Sequence, residues 1–590
     1  MFDASDDNSA EEVCNRLERR RPTSQLEGWS LISMTQRSII ALSSLPIFGA
    51  VLLFVYFLFF PNLVDVVVRS TDEERAFENN YDIETFLYLG SRLLHGELLY
   101  VKDFETKLPF VQYIFFIPSL FGGIGAWRIF TFFVVLSLSI PASYALALDY
   151  LEQSRTCFLD RNSLTLLLTG FFLLLLYSLP GSESAHIEMI AASAAYLSLV
   201  MALTINKTKS PLIRSFLAGI LIAVAVSIRP NYLYVFLFFA LWIVVVNAKL
   251  YPVSYLTMIG LLFVSGFVAL VALSFAPYLL IENGMILLGQ GIKSLLQVSK
   301  HHDVKPLFYE QIFDDTQSYF YLSLYAGIAI LLGLFWHPVE KDKTLLMKYG
   351  IPSSVSIVCL NVSLMQTHYW SHNSIMFVPY LIVIALTLSS FLNPVHTSSS
   401  SKHAIVVSTT IKLVVIGFIV FITASPFSIL VSSLTKVSLG EVEFEPRINH
   451  GGMDDELFSF LKTWKERSNT FLVENPIYHR LLDEPRIGDG HPAMLKAVLS
   501  GRRVGPIGNI YMYSEEAHRN PCSALFNSGK DLIIMTKTSV VNSLLTQCFS
   551  KGQEVYDKVE ITGLSKYNVF RRRNLLLGTF EEKTVFSSHD

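Results

Sequence analysis

Long apolar runs separated by short polar breaks occupy this chain up to residue 431, and they decide what it can fold into. A helix needs about 20 mostly apolar residues to cross a bilayer. Such runs are Ile39–Phe60, Ala126–Leu148, Ser163–Leu179, Met189–Ile205, Phe216–Ile228, Asn231–Val246, Tyr255–Ile281, Tyr319–Trp336, Tyr349–Gln366, Ser374–Leu392 and Ala404–Val431. They predict a polytopic α-helical membrane protein with about eleven spans. Only 16 % of the residues are charged and 52 % are hydrophobic, whereas a soluble chain carries about a quarter charged residues. A purely soluble enzyme is therefore excluded. With 5 Cys in 590 residues a disulfide scaffold is excluded as well. The net charge of −3 gives no basic footprint for nucleic acid.

One further apolar segment, Leu108–Gly123, is short, contains Pro109 and Pro118 and ends in Gly-Gly. Charge decides its status, because cytoplasmic loops collect Lys and Arg. If the segment does not cross, Arg155, Arg161, Lys207, Lys209, Arg214, Lys249, Lys341, Lys343, Lys348 and Lys402 all fall inside, with the Arg-rich N-terminus. If it crosses, every later loop changes sides and the rule fails. Leu108–Gly123 is accordingly expected to be a re-entrant or interfacial helix. The first apolar run lacks an A-x-A-like exit and reads as a signal anchor.

This topology divides the chain into an inner segment 1–38, a membrane domain 39–431 with outer loops 61–107 and 282–318, and an extracytoplasmic α/β domain 432–590. The last is predicted from a shift to mixed polar sequence. It has a helix-like opening, Met453–Lys465, and strand-like runs Thr470–Val473, Leu532–Met535 and Tyr567–Arg571. Cys522 and Cys548 lie in this domain, where a disulfide or two unpaired thiols are both compatible with the sequence.

Ionisable residues in membrane are costly and usually functional. Here they avoid the span centres and gather at the outer ends: Asp82, Glu84, Lys107, Glu183, His186, Glu188, Arg229, His368 and His372. That distribution points to a reaction site at the outer surface. In the first loop, Ile83, Phe86, Leu87, Leu89, Leu93 and Leu94 approximate a helical stripe, predicting a juxtamembrane helix in the interface with Asp82 at its N-terminal end. At that end Asp82 has two readings, an N-cap or a reactive carboxylate.

The continuation, Gly96, Tyr100, Asp103, Lys107 and Pro109, resembles the first outer loop of the GT-C glycosyltransferases, in particular the protein mannosyltransferase and aminoarabinose transferase branches. Those enzymes show an acidic residue after the first span and a G-x-x-P-Y-x-D pattern, then K-P-P or K-x-P entering an apolar helix. Leu99 replaces the usual Pro here, and Leu108 separates Lys107 from a single Pro109. Glu188 is similar to the family's second outer acidic residue, and Arg229, before Pro230, to a basic hairpin tip. His372, with Asn373 in place of Tyr, is similar to a His-Tyr pattern ahead of a Pro. The resemblance implies transfer of a sugar from a polyprenyl-phosphate donor to a glycan, lipid or protein acceptor, by inverting displacement, in a multi-pass membrane protein.

Such a reaction needs a carboxylate to take the acceptor proton, and Asp82 is the first candidate and Glu188 the second. It needs cations where phosphate charge develops, and Lys107 and Arg229 suit that task. Glu84, Tyr100, Asp103, His186 and His372 are further candidates for the substrate site. The Asp82-x-Glu84 spacing also raises a metal reading, Mg²⁺ or Mn²⁺. On a helix, however, residues i and i+2 do not share a face, and Glu84 is then expected in solvent. The competing function is a transporter or lipid flippase. Such proteins show inverted repeats and midplane charges, and neither is visible in the sequence.

Overall fold

The structure, a computed structural model, describes residues 41–55, 73–101, 107–153, 159–179, 185–298, 345–366, 371–389, 454–485, 530–537, 556–573 and 582–584, apart from single positions within these stretches, and two isolated positions beyond them. Four described helices are long and apolar enough to cross a bilayer: Ile124–Glu152, Arg161–Ser178, Pro211–Ile228 and Val253–Leu280. Shorter apolar helices cover Ser43–Val55, Phe110–Leu120, Glu188–Leu203, Tyr232–Asn247 and Asn373–Ser389. The expected spans Tyr319–Trp336, apart from positions 327 and 331, and Ala404–Val431 lie outside the described residues, as do Cys522 and Cys548.

The first-loop helix, α1, runs Glu73–Arg92, and α2 is Phe110–Leu120. At 1.5 Å per residue α2 is roughly 16 Å long, about half of a hydrocarbon core. The membrane bundle continues with α3 (Ile124–Gln153), α4 (Arg161–Ser178), α5 (Glu188–Leu203), α6 (Pro211–Ile228), α7 (Tyr232–Asn247) and α8 (Val253–Phe275). Local chemistry sets several starts. The Asp160 carboxylate accepts from Ser163 N at 3.1 Å to cap α4. Pro211 opens α6, where its missing N–H costs nothing. An amphipathic helix, α9 (Gly284–Val298), follows, then α10 (Ile351–Gln366) and α11 (Val378–Ser389).

Small residues allow the closest packing. A Cβ at Gly219 in α6 would lie 2.0 Å from the Phe263 carbonyl oxygen, and one at Gly266 in α8 would lie 2.0 Å from that of Phe216. The two backbones therefore meet at reciprocal glycines, as membrane helices do when close approach replaces the missing hydrophobic drive. Gly90 performs the same service between α1 and α2, against the Phe115 backbone.

Two expectations for α1 are corrected. Asp82 lies in the middle of the helix, so it is no N-cap; the helix begins at Glu73. Residues 83–90 are all buried, so α1 does not lie open in the interface. Its second face is covered by the C-terminal domain. That cover was illegible in the sequence because the partner side chains lie almost 400 residues away.

The C-terminal domain places α12 (Asp455–Glu466) and α13 (Pro476–Leu481) on a five-stranded sheet. Asp454 caps α12, accepting from Glu456 N and Leu457 N at 3.0 and 3.2 Å. The strands are β1 (Phe471–Val473), β2 (Leu532–Thr536), β3 (Tyr556–Ile561), β4 (Tyr567–Arg572) and β5 (Glu582–Thr584), in the order β1-β2-β4-β3-β5. Only β1 and β2 are parallel. Leu461, Trp464, Phe471, Ile534 and Val569 form its core.

The domain sits on α1. Arg480 of α13 grips Glu84 with two donors, Nε to Oε2 at 2.9 Å and Nη2 to Oε1 at 3.2 Å. Asp483 pairs with Arg92 and His95, each at 3.0 Å. The Tyr88 and His479 rings meet edge-on at 6.3 Å.

Candidate active site

Five of the residues singled out in the sequence come together. Glu188 opens α5, where the helix dipole favours an anion. Its carboxylate is fully buried and meets three groups: Arg229 Nε donates to Oε1, Lys107 Nζ lies 3.8 Å from Oε1, and His186 Nδ1 meets Oε2. His186 Nε2 faces Asp82 Oδ2 at 3.6 Å. The chain of contacts is thus Asp82–His186–Glu188, with Lys107 and Arg229 on the far carboxylate.

Exposure differs sharply along this chain. The Glu188 side chain has 0 % of its surface exposed and His186 5 %, while Asp82 keeps 41 %. Burial, with Arg229 and Lys107 nearby, lowers the His186 pKa to about 4 against the opposing pull of Asp82. Neutral His186 leaves two carboxylates facing two cations, so the cluster balances its charge, as a buried ionic group must.

Each member is positioned from a different direction. Lys107 precedes α2, where Leu108 N donates to the Ser227 carbonyl at 3.3 Å, tying it to the end of α6. The Tyr100 hydroxyl donates to the Lys107 carbonyl, and Tyr100 takes a left-handed backbone, φ +66°. Arg229 ends α6, its N–H donating to Ala225 O at 2.8 Å. Trp127 stacks on Phe115 at 3.8 Å and donates its indole N–H to Ala185 O at 2.7 Å, fixing the residue before His186. Gln112 closes the loop before Lys107, accepting from Leu99 N and donating to the Leu89 and Glu97 carbonyls, each at 2.9 Å. Trp127, Gln112 and Arg480 carried no motif. Only a buried polar position in an apolar run, Gln112, gave a sequence signal.

Glu84 departs from expectation. It is buried rather than solvated, and it holds Arg480 on the face of α1 opposite Asp82. The Asp82-x-Glu84 pair therefore does not converge on one ion. Among the described residues no group of three or more His, Cys, Asp or Glu has the geometry to hold a metal. Tyr100 supports Lys107 from below. Asp103 and the His372 side chain lie outside the described residues; the 372 backbone belongs to the 3₁₀ turn Ser371–Phe377.

A second charge cluster, sheltered at Asp149 and Lys348 and open to its surroundings at Lys207 and Glu152, marks the other end of the bundle. Asp149 in α3 pairs with Lys348 at 2.6 Å, and Lys207 pairs with Glu152 at 2.5 Å. Trp127, beside the first cluster, and Asp149 are separated by roughly 33 Å of continuous helix. The two clusters thus bracket a bilayer's thickness.

No family model and no curated protein sequence matches the chain. It is similar to solved structures of an archaeal enzyme. One is the Archaeoglobus fulgidus oligosaccharyltransferase in the apo form, 11 % identical, TM-score 0.44, covering 94 % of this chain and 75 % of that one. A second is the oligosaccharyltransferase of that organism in complex with Zn and sulfate, 12 % identical, TM-score 0.40, covering 83 % and 69 %. A third is archaeal oligosaccharyltransferase AglB from Archaeoglobus fulgidus in complex with an inhibitory peptide and a dolichol-phosphate, 12 % identical, TM-score 0.39, covering 95 % and 75 %.

Proposed function

We propose that the protein is a multi-pass membrane glycosyltransferase of the GT-C type, moving a sugar from a polyprenyl-phosphate donor to an acceptor on the extracytoplasmic side. The observation that carries this reading is one chain of contacts at an end of the apolar helical bundle, in which His186 joins a half-exposed carboxylate, Asp82, to Glu188 and its two cations, Lys107 and Arg229. Lipid phosphates present their heads at that depth.

In this reading the acceptor O–H or N–H gives its proton to Asp82 while its lone pair attacks C1 of the sugar. The C1–O bond to phosphate breaks, and its electron pair stays on the phosphate oxygen. The phosphate goes from one negative charge to two, and the anomeric centre inverts. Lys107 and Arg229 face the site where that charge grows. Glu188 is their counter-charge and holds both in register before the donor arrives. His186 lies between the two carboxylates and, neutral with a single N–H, donates to one of them. No step is routed through a metal, because the D-x-E carboxylates point to opposite sides of α1.

The test is turnover by purified full-length protein with polyprenyl-phosphate mannose and glucose, scoring free polyprenyl phosphate and the anomeric configuration of the product. Inverted product supports the reading. Movement of the intact lipid across sealed vesicles without cleavage of the sugar–phosphate bond would replace it with a flippase.

A further inference from the structure

Arg480 belongs to the C-terminal domain and is absent from the cluster, yet it touches both supports of that cluster. Its guanidinium is almost fully buried and forms a two-donor fork on the equally buried Glu84. Residues two apart on a helix point about 200° from one another, so Glu84 and Asp82 occupy opposite faces of α1. Whatever fixes Glu84 fixes the rotation that aims Asp82 at His186.

The second support is the turn into α3. Gly123 has φ +81°, and a Cβ there would lie 2.6 Å from Arg480 Nη2. The guanidinium therefore packs directly against this turn, in space only a glycine leaves open. Trp127 N donates to the Gly123 carbonyl at 2.9 Å, and the Trp127 indole holds Ala185 beside His186. One side chain thus spans the two routes that set the Asp82–His186 distance.

From this geometry we infer that Arg480 is a positioning residue for the site: the C-terminal domain completes the membrane site by fixing α1 against the α2–α3 turn. The kinetic part of the inference rests on the transferase reading; the geometric part does not.

The experiment uses the full chain in detergent, cysteine-free except for a pair at Asp82→Cys and His186→Cys, closed with a short bis-methanethiosulfonate linker. A control pair, Asn231→Cys and Ser363→Cys, replaces a side-chain contact of 2.7 Å elsewhere in the bundle. Arg480→Gln and Glu84→Gln are each expected to slow linking at 82/186 about tenfold, with the control pair unchanged. In the otherwise native chain each is expected to lower kcat by about 10²-fold, the scale of a small misplacement at a reacting group, with the donor KM within about twofold. The double variant is expected to lose no more than the worse single, because both act through one contact. Arg480→Lys, which keeps the charge but not the fork, falls between.

Unchanged linking at 82/186 in both variants overturns the proposal. So do losses that multiply in the double variant, and so does an equal fall at the control pair, which assigns Arg480 to general folding alone. If the native chain turns over neither donor, the transferase reading fails, and the linking rates still decide the role of Arg480.

Discussion

Asp82 and Glu188 are both carboxylates at one end of the bundle, but their surroundings differ. Glu188 has no exposed surface and three partners; Asp82 is open enough to meet a substrate. Asp82→Asn is therefore expected to lower kcat about 10²–10⁴-fold while donor binding, measured by displacement of a labelled polyprenyl phosphate, stays within a few-fold. Near-normal turnover at saturating donor would move the base role to another group. His186 supplies a second test, in stability. Its folded pKa is about 4 against 6.5 for an ordinary imidazole. Between these values the unfolded chain binds the proton and the folded chain does not. The contribution is complete above pH 6.5 and is lost as pH falls toward 4. Thermal unfolding followed across that window should show the native midpoint falling with acid more steeply than that of His186→Gln, whose own midpoint lacks this component. Parallel pH dependences would show that His186 takes up its proton normally.

At the scale of elements, the reciprocal glycines of α6 and α8 are the most exacting contact. Gly219→Leu places a side chain where a backbone carbonyl already stands 2.0 Å from the first added carbon, so the helices must separate. The expected result is loss of the monodisperse folded peak on size exclusion, and Gly219→Ala, which adds the same first carbon, is expected to lower the unfolding midpoint by forcing a smaller shift of the two helices. A Gly219→Leu chain with native elution would show that α6 and α8 slide freely. Elements defined by a continuous apolar run were legible from sequence. The spans of α3, α4, α6 and α8 announce themselves, and so do β1 and β2, which are apolar runs, and β4, where Tyr567, Val569 and Phe570 supply the strand signal. β3 was not, because Tyr-Asp-Lys-Val-Glu-Ile interleaves charge with each buried residue and is recognisable only beside β4. The true start of α1 was missed for a related reason: its first turns are polar, and the helix is held by what packs on its later turns. Of the site, the ionisable members could be read because charges are rare near spans. Their supports could not, since Trp127 looks like any aromatic in an apolar segment and Arg480 like any surface arginine.

For the molecule as a whole, the two charge clusters at opposite ends of α3 fix the axis of insertion, and the loop charges give it a sign. Single cysteines at Asp160 and Glu560 in a cysteine-free chain, both exposed positions, should react with an impermeant thiol reagent from opposite sides of a sealed vesicle. Reaction from the same side would refute the arrangement of inner loops and outer C-terminal domain. The Glu84–Arg480 contact joins residues 396 apart in sequence, and this separation has a consequence for biosynthesis. At 5–20 residues per second a ribosome takes roughly 20–80 s to travel between them. Through that interval the newly made first loop carries an acidic group destined for burial and no partner for it. The nascent loop must therefore wait, accessible to proteases and to modifying enzymes, until the segment around Arg480 has been made and closes over it.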